Sequence, residues 1–440
     1  MTFPYQTKNF WVSLVKPIVV FLYFLLLITA LYSKGLIGNY LKLFNKGWHM
    51  EFIEAFSKGH EQTNQYFIAS TSDFSEQNDP YRNKYVLLGA GLPDDPGMYY
   101  FIPALQSAFH IKTVSAYWIL MCSIVVASYS VVVIGIYLLF TNHYVRIASY
   151  FYLGLFALFC LLILDMHILP YFITSFIPLL LWIRKKYTRD LKIFLPIGTM
   201  ILVGLLIGVA NQFRFQAGTG MALIIGGYIS LDKKIRVPHK LIFIGFLLLS
   251  MPACQVYLSE KFQERDNWLQ AHSVNQECKK AAHPFWHQLY IGLGFTRNKY
   301  GIEYDDQCGF RKASATDPLN NMMSLSTRDI TRYEKIIKDA YLQIVREDIL
   351  FVAKTYFIKF LYILVFALLF FNYGFILLGK VKLTYRGAIP MTLGILYSVL
   401  PGILTFPVPF YFLGGLNLLV ISELLLLEKY YTKSPQNNYL

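Results

Sequence analysis

The run Leu92-Pro93-Asp94-Asp95-Pro96-Gly97-Met98-Tyr99-Tyr100 is the sharpest setting for acid–base chemistry in this chain. Two adjacent carboxylates precede a proline, a residue suited to the first position of a helix. The spacing predicts a helix from Pro96 through Phe101, Ala104, Leu105 and Phe109, with Asp95 as its N-cap. Capping alone would account for Asp95. A carboxylate held just ahead of such a helix, Asp94 above all, is also placed to take a proton from a hydroxyl group.

A second constellation follows much later: His283-Pro284-Phe285-Trp286-His287, then Tyr290, then Tyr300-Gly301-Ile302-Glu303-Tyr304-Asp305-Asp306. If Pro284 opens a helix, His283 and His287 share one face of it. That pair is compatible with a divalent metal, with Asp305 and Asp306 as further ligands. Substrate contacts by His283, His287, Tyr290, Asp305 or Asp306, and plain aromatic packing, are the competing readings; no cofactor is demanded. For an anionic group the candidate is Arg214, followed by the helix start at Ala217-Gly218-Thr219-Gly220, whose backbone N–H groups can face the same anion. Lys354, with Lys359 beside it, is a weaker cation candidate, because lysine near a span end commonly anchors at the interface. Cys278 and Cys308 can form a disulfide or remain two buried thiols.

The elements that must position these groups are membrane spans. With 55% hydrophobic and 15% charged residues, the chain is too apolar for an ordinary soluble domain. Apolar runs of about 17–25 residues, enough for a hydrocarbon core about 30 Å thick, recur along it. Ten spans are expected, near 10–32, 114–140, 147–164, 168–183, 193–210, 217–231, 241–258, 355–379, 387–404 and 409–427. The first lacks a small-residue cleavage site and reads as a retained span. Gly226-Gly227 in the sixth suggests a tight contact or a break.

The net charge of +14 is gathered in patches between spans: Arg184, Lys185, Lys186, Arg189, Lys192; Lys233, Lys234, Arg236, Lys240; and Lys380, Lys382, Arg386. Such patches mark cytoplasmic loops and contact with anionic membrane lipid. They lack the interleaved stacking residues of a nucleic-acid surface, and that class is set aside. An amino terminus inside puts every patch on one side. The expected fold is therefore an all-α polytopic membrane protein of about ten transmembrane helices with two large exported loops. Residues 1–32 are the first span, and 33–113 form exported loop one with juxtamembrane helices. Residues 114–258 hold spans two to seven, and 259–354 form exported loop two. Residues 355–440 hold the last three spans and a cytoplasmic tail. In loop one, Leu36 to Phe56 reads as an amphipathic helix, either interfacial or packed. In loop two, Ile336, Ile337, Ala340, Tyr341, Ile344 and Val345 recur at helical spacing within 332–349. Asp165 and His167 fall at a short outer turn; Glu423 sits inside the last span without an assignable role.

A long exported loop directly after the first span, carrying Asp94-Asp95-Pro96-Gly97 ahead of a short helix, resembles the GT-C superfamily of membrane glycosyltransferases. The architectural likeness covers the whole chain, whereas the motif is only these few residues. The one-sided basic patches put both termini inside and both large loops outside, and the resemblance implies a GT-C-like fold in a bacterial inner membrane, where those sides are cytoplasm and periplasm. It further implies a polyprenyl-phosphate-linked sugar as donor, a cell-envelope acceptor, and Asp94 or Asp95 as the catalytic base. The second large loop departs from the simplest members, which carry a separate carboxy-terminal domain. An O-antigen ligase or polymerase, centred on His283, His287 and Arg297, and a transporter or flippase of lipid-linked substrates are the alternatives.

Overall fold

The computed structural model describes residues 47–70, 85–86, 96–163, 168–187, 194–214, 217–271, 285–318 and 330–432. In chain order, α1 is Gly47–Thr63, followed by the two-residue strands β1 (Ala69–Ser70) and β2 (Tyr85–Val86). Next come α2 (Pro96–Phe109), α3 (Thr113–Leu139), α4 (His143–Ile163), α5 (Leu169–Thr174) and α6 (Ile177–Tyr187). They are followed by α7 (Phe194–Phe213), α8 (Thr219–Leu231), α9 (Val237–Ser250) and α10 (Ala253–Ala271). The later part comprises α11 (Phe285–Gly292), α12 (Asp306–Thr316), α13 (Ile330–Glu347), α14 (Ile349–Phe370), α15 (Asn372–Leu378), α16 (Tyr385–Leu404) and α17 (Leu413–Thr432). Short 3₁₀ turns occupy Leu293–Phe295 and Pro409–Phe412. Among the described residues, the secondary structure is helical apart from the antiparallel pairing of β1 with β2.

Among the described residues, five helical stretches are long and apolar enough to cross a membrane: Thr113–Leu139, His143–Leu161, Val237–Ala271, Ile349–Phe370 and Tyr385–Leu404. Ile197–Phe213 and Thr219–Leu231 are apolar but shorter. The expected first span, 10–32, lies outside the described residues. Three other expected spans differ from single uniform helices. The segment 168–183 is split into α5 and α6 around Ser175. The segment 355–379 is split at Phe371 between α14 and α15. The segment 241–258 belongs to a 35-residue stretch, Val237–Ala271, interrupted only by a turn at Met251-Pro252. Its distal half therefore carries residues expected in loop two. Gly226-Gly227 marks a contact and no break: α8 is continuous, and a Cβ on Gly227 would lie 3.0 Å from Pro390.

Breaks in apolar helices strand backbone groups that lipid cannot satisfy. The helix that answers them is α17, the most thoroughly buried of the apolar helices, with Leu416, Leu418, Val420 and Ile421 at 0% exposure. Asn417 Nδ2 donates to Thr174 Oγ1 at 2.8 Å and to Tyr171 O at 3.3 Å, at the α5–α6 break. Glu423 Oε2 accepts from the Gly374 N–H at 3.2 Å, in the first turn of α15. The Phe370 carbonyl on the other side of that break accepts from the Tyr152 hydroxyl at 3.0 Å. Glu428 Oε1 accepts from Thr141 N at 2.6 Å, Thr141 Oγ1 at 2.9 Å and Asn142 N at 3.2 Å, closing the α3–α4 turn. Glu423, whose purpose its sequence context does not reveal, is thus a helix cap supplied from a neighbouring helix.

The basic patches gather at one end of this bundle. Arg184 pairs with Asp232 at 3.0 Å, joining the ends of α6 and α8. Lys240 Nζ donates to Ser230 O at 2.6 Å, and Lys429 Nζ to Lys382 O at 2.7 Å. Tyr228 donates to Gly387 O at 3.4 Å and links the two groups. The described parts of the expected loops lie at the opposite end and form two modules. In the first, α1 packs on α2 through Phe56 and Tyr99, with ring centroids 5.0 Å apart. Ile53 and Phe56 are buried, so the described part of the amphipathic stretch is a packed helix. In the second, α11, α12 and α13 enclose a separate small core of Leu293, Phe310, Tyr333, Ile337, Ala340 and Ile344. The first module also packs on α10, where Phe262 stacks on Phe67 at 4.1 Å.

This arrangement makes a testable demand on Glu423. Glu423→Leu, which leaves the α15 N–H group without an acceptor, is expected to cost about 1–3 kcal/mol. Glu423→Gln keeps an acceptor oxygen and should cost less. Thermal unfolding in detergent checks the order; equal melting of the two variants would contradict the capping role.

Candidate functional site

Arg214 ends α7, where its backbone N–H still bonds to Ala210 O at 3.0 Å. Asn211 Oδ1, one turn earlier, accepts from the Gly218 N–H at 2.8 Å. The guanidinium lies 5.0 Å over the Tyr411 ring, within cation–π range. Tyr411 sits in the 3₁₀ turn that feeds α17, and its hydroxyl is 3.2 Å from that of Tyr304. Tyr304 comes from the loop-two module and stacks on Phe406 at 4.2 Å. Burial raises the Tyr304 phenol well above its ordinary range, with the Tyr411 phenol and the Asp306 carboxylate adding to the rise and Arg214 opposing it. The aromatic ring is therefore a neutral hydrogen-bonding group between a cation and an anion.

The loop-one module reaches the same corner. Pro96 opens α2 as its position in the sequence predicts, and Gly97 rests against the last turn of α7. A Cβ on Gly97 would lie 2.8 Å from Phe213 Cδ2 and 3.0 Å from the Gln212 carbonyl, so only glycine permits this approach. Phe101 of α2 stacks on Phe213 at 5.1 Å. The segment that directly follows Asp94-Asp95 thus packs one residue away from Arg214. Asp94 and Asp95 themselves lie outside the described residues, as do His283, Cys278, Asp165 and His167.

His287 has a different place from a surface ligand. It is 2% exposed, its Nε2 is 3.0 Å from Asp306 Oδ1, and its Nδ1 contacts the Tyr333 hydroxyl. Its ring also stacks on Phe310 at 5.4 Å. Glu334 accepts from the backbone N–H groups of Trp286 and His287 at 2.9 and 3.1 Å, capping α11 from α13. The imidazole therefore ties α11, α12 and α13 together. Asp305 is the N-cap of α12, accepting from Gln307 N at 3.1 Å. Tyr290 lies in the small core, its phenol pushed up to about 12 by burial. Cys308 is a buried unbridged thiol, 3.9 Å from Gly301 O, and its candidate partner Cys278 is beyond description. Among the described residues no group of three His, Cys, Asp or Glu side chains could hold a metal ion.

The two lysines of α14 differ sharply. Lys354 is exposed, whereas Lys359 is at 0% exposure and donates to Thr405 O at 2.6 Å. Lys359 also lies 5.0 Å over the Tyr356 ring. Gly292 at the end of α11 abuts this pair: a Cβ there would be 2.7 Å from Thr405 O and 3.0 Å from Lys359 Nζ. Lys359 thus fastens the loop-two module to the end of α16, immediately before Phe406. An interface-anchor reading fits Lys354. Nothing in the local sequence separates the two, since the distinction depends on which face of α14 meets α16.

The geometry assigns His287 a structural task with a measurable consequence. His287→Ala should loosen the loop-two module by about 1–3 kcal/mol, seen as faster amide exchange across 285–318 and 330–347. Amides of α17 should keep their protection. Unchanged exchange in the module would contradict the bridging role.

Comparisons with known proteins give no assignment: the chain matches no family model, no curated protein and no solved structure.

Proposed function

We propose that this chain is a membrane glycosyltransferase that moves a sugar from a polyprenyl-phosphate donor to a cell-envelope acceptor. In this reading it has ten spans and a GT-C-like fold. The basic end and both termini face the cytoplasm, and the loop end faces the periplasm of a bacterial inner membrane.

One observation carries the reading. Arg214 is the point at which the loop-one helix that follows Asp94-Asp95 and the loop-two residue Tyr304, through Tyr411, come together. A guanidinium offers phosphate a planar fork of donors, and α2, which follows Asp94-Asp95 in sequence, packs on the turn just before it. The acceptor hydroxyl oxygen would form a bond to the anomeric carbon while Asp94 or Asp95 takes its proton. The bond from that carbon to the phosphate oxygen would break, and the polyprenyl phosphate would leave with the electron pair. Arg214 would meet the charge that develops on the departing oxygen. Inversion at the anomeric carbon follows from the resemblance. His287, through Asp306, and Lys359, through Thr405, are positioning residues that hold Tyr304 and Phe406.

Two observations weigh against the alternatives. A ligase centred on His283, His287 and Arg297 would lose His287 as a surface group, since both its ring nitrogens are engaged inside the module. A transporter would use polar groups within the spans, and Asn417 and Glu423 are committed to helix breaks.

Transfer from a synthetic polyprenyl-phosphate sugar, assayed in vesicles, tests the proposal. Arg214→Gln should lower transfer about 10²-fold, in the range of losing one oxyanion donor. At least one of Asp94→Asn and Asp95→Asn should lower it further. Full transfer in both aspartate variants would remove the pair from the mechanism, and full transfer in Arg214→Gln would remove the donor site.

A further inference from the structure

At the basic end, away from the corner just described, α6, α7, α8 and α9 surround a cavity of about 120 Å³. Its walls include Leu180, Met200, Ile225, Ile229, Ile235 and Phe243. Among the described residues, the only charged side chain on its lining is that of Arg184, which lies 5.0 Å over the Tyr228 ring. Apolar cavities of about 150 Å³ stay dry and take up small hydrocarbons, so this one has room for a segment of an alkyl chain.

The rim is strongly one-signed. Asp232 pairs with Arg184 at 3.0 Å and also accepts from the Lys234 N–H at 2.9 Å. That single carboxylate is surrounded in sequence by Lys233, Lys234 and Arg236, all exposed, and Lys185 next to Arg184 is exposed too. Among the described residues, five cations against one anion leave the mouth of an apolar cavity with net positive charge. A ligand that satisfies both features has a hydrocarbon tail and an anionic head.

We infer that the cavity between α6, α7, α8 and α9 binds an acyl chain of an anionic phospholipid, with its phosphate on Arg184 and the surrounding lysines. The site is independent of the sugar-transfer proposal and lies at the other end of the bundle. The lipid would lock the ends of α6 and α8 together where the Arg184–Asp232 pair already joins them.

Native mass spectrometry of the full chain, released from nanodiscs of mixed phosphatidylcholine and phosphatidylglycerol, tests this directly. Wild-type protein should retain phosphatidylglycerol over phosphatidylcholine and melt at higher temperature when phosphatidylglycerol is added in detergent. Leu180→Trp and Ile225→Trp fill the cavity, while the paired change Arg184→Gln with Asp232→Asn removes the head contact without stranding a charge. Each should cut retention at least about fivefold, the scale of one basic residue at an anionic surface. Variants are scored only where lipid-free melting matches wild type, and the paired change keeps the test open if the tryptophans do not fold. Equal retention in a folded variant, equal retention of the two lipids, or the same melting shift with inorganic phosphate would overturn the inference.

Discussion

Three polar side chains on one buried helix hold the described bundle together. Asn417, Glu423 and Glu428 each reach from α17 to a place where the surrounding helices are interrupted. In water such breaks would be satisfied by solvent; among apolar helices the partner has to come from the protein. This explains why α17 has polar residues at positions that face protein on every side. It also fixes the register of α17 against α5, α15 and the α3–α4 turn. The 3₁₀ turn at its start carries Tyr411, so the same register decides where Tyr411 meets Arg214.

The loop end is built outward from that turn. Lys359 fastens Thr405, Phe406 stacks on Tyr304, and Tyr304 bonds to Tyr411. His287 keeps the module that supplies Tyr304 in one piece by bridging α12 and α13. From the other direction, Gly97 and Phe101 bring the loop-one module onto the last turn of α7. Arg214 is where these two supports close. A cation placed there is backed by aromatic rings and by interlocking helices, which is the kind of preorganisation that phosphate chemistry requires.

Much of this was legible in the residue pattern, and the rest fails for identifiable reasons. Helical spacing in 332–349 gave the buried face of α13 correctly, since Ile337, Ala340 and Ile344 all reach the small core. Pro96 marked the start of α2 because proline at a first helical position is a local signal. The basic patches were expected to share a side, and Arg184, Lys240, Lys382 and Lys429 do gather at one end. Breaks in α5–α6 and α14–α15 were invisible, because hydropathy averages over a broken helix as easily as over a whole one. The purpose of Glu423 could not be read, since its partner is a backbone N–H distant in sequence. His287 shows the same limit: its spacing suits ligation, yet tertiary packing has spent both ring nitrogens on neighbouring helices.

The most direct test of the central claim is an electron-cryomicroscopy structure of the chain with a polyprenyl-phosphate sugar bound. The account predicts the donor phosphate in salt-bridge contact with Arg214, beside the Tyr304–Tyr411 pair, with Asp94 or Asp95 facing the anomeric carbon. A donor bound elsewhere, with Arg214 still on Tyr411 and no phosphate beside it, would contradict it.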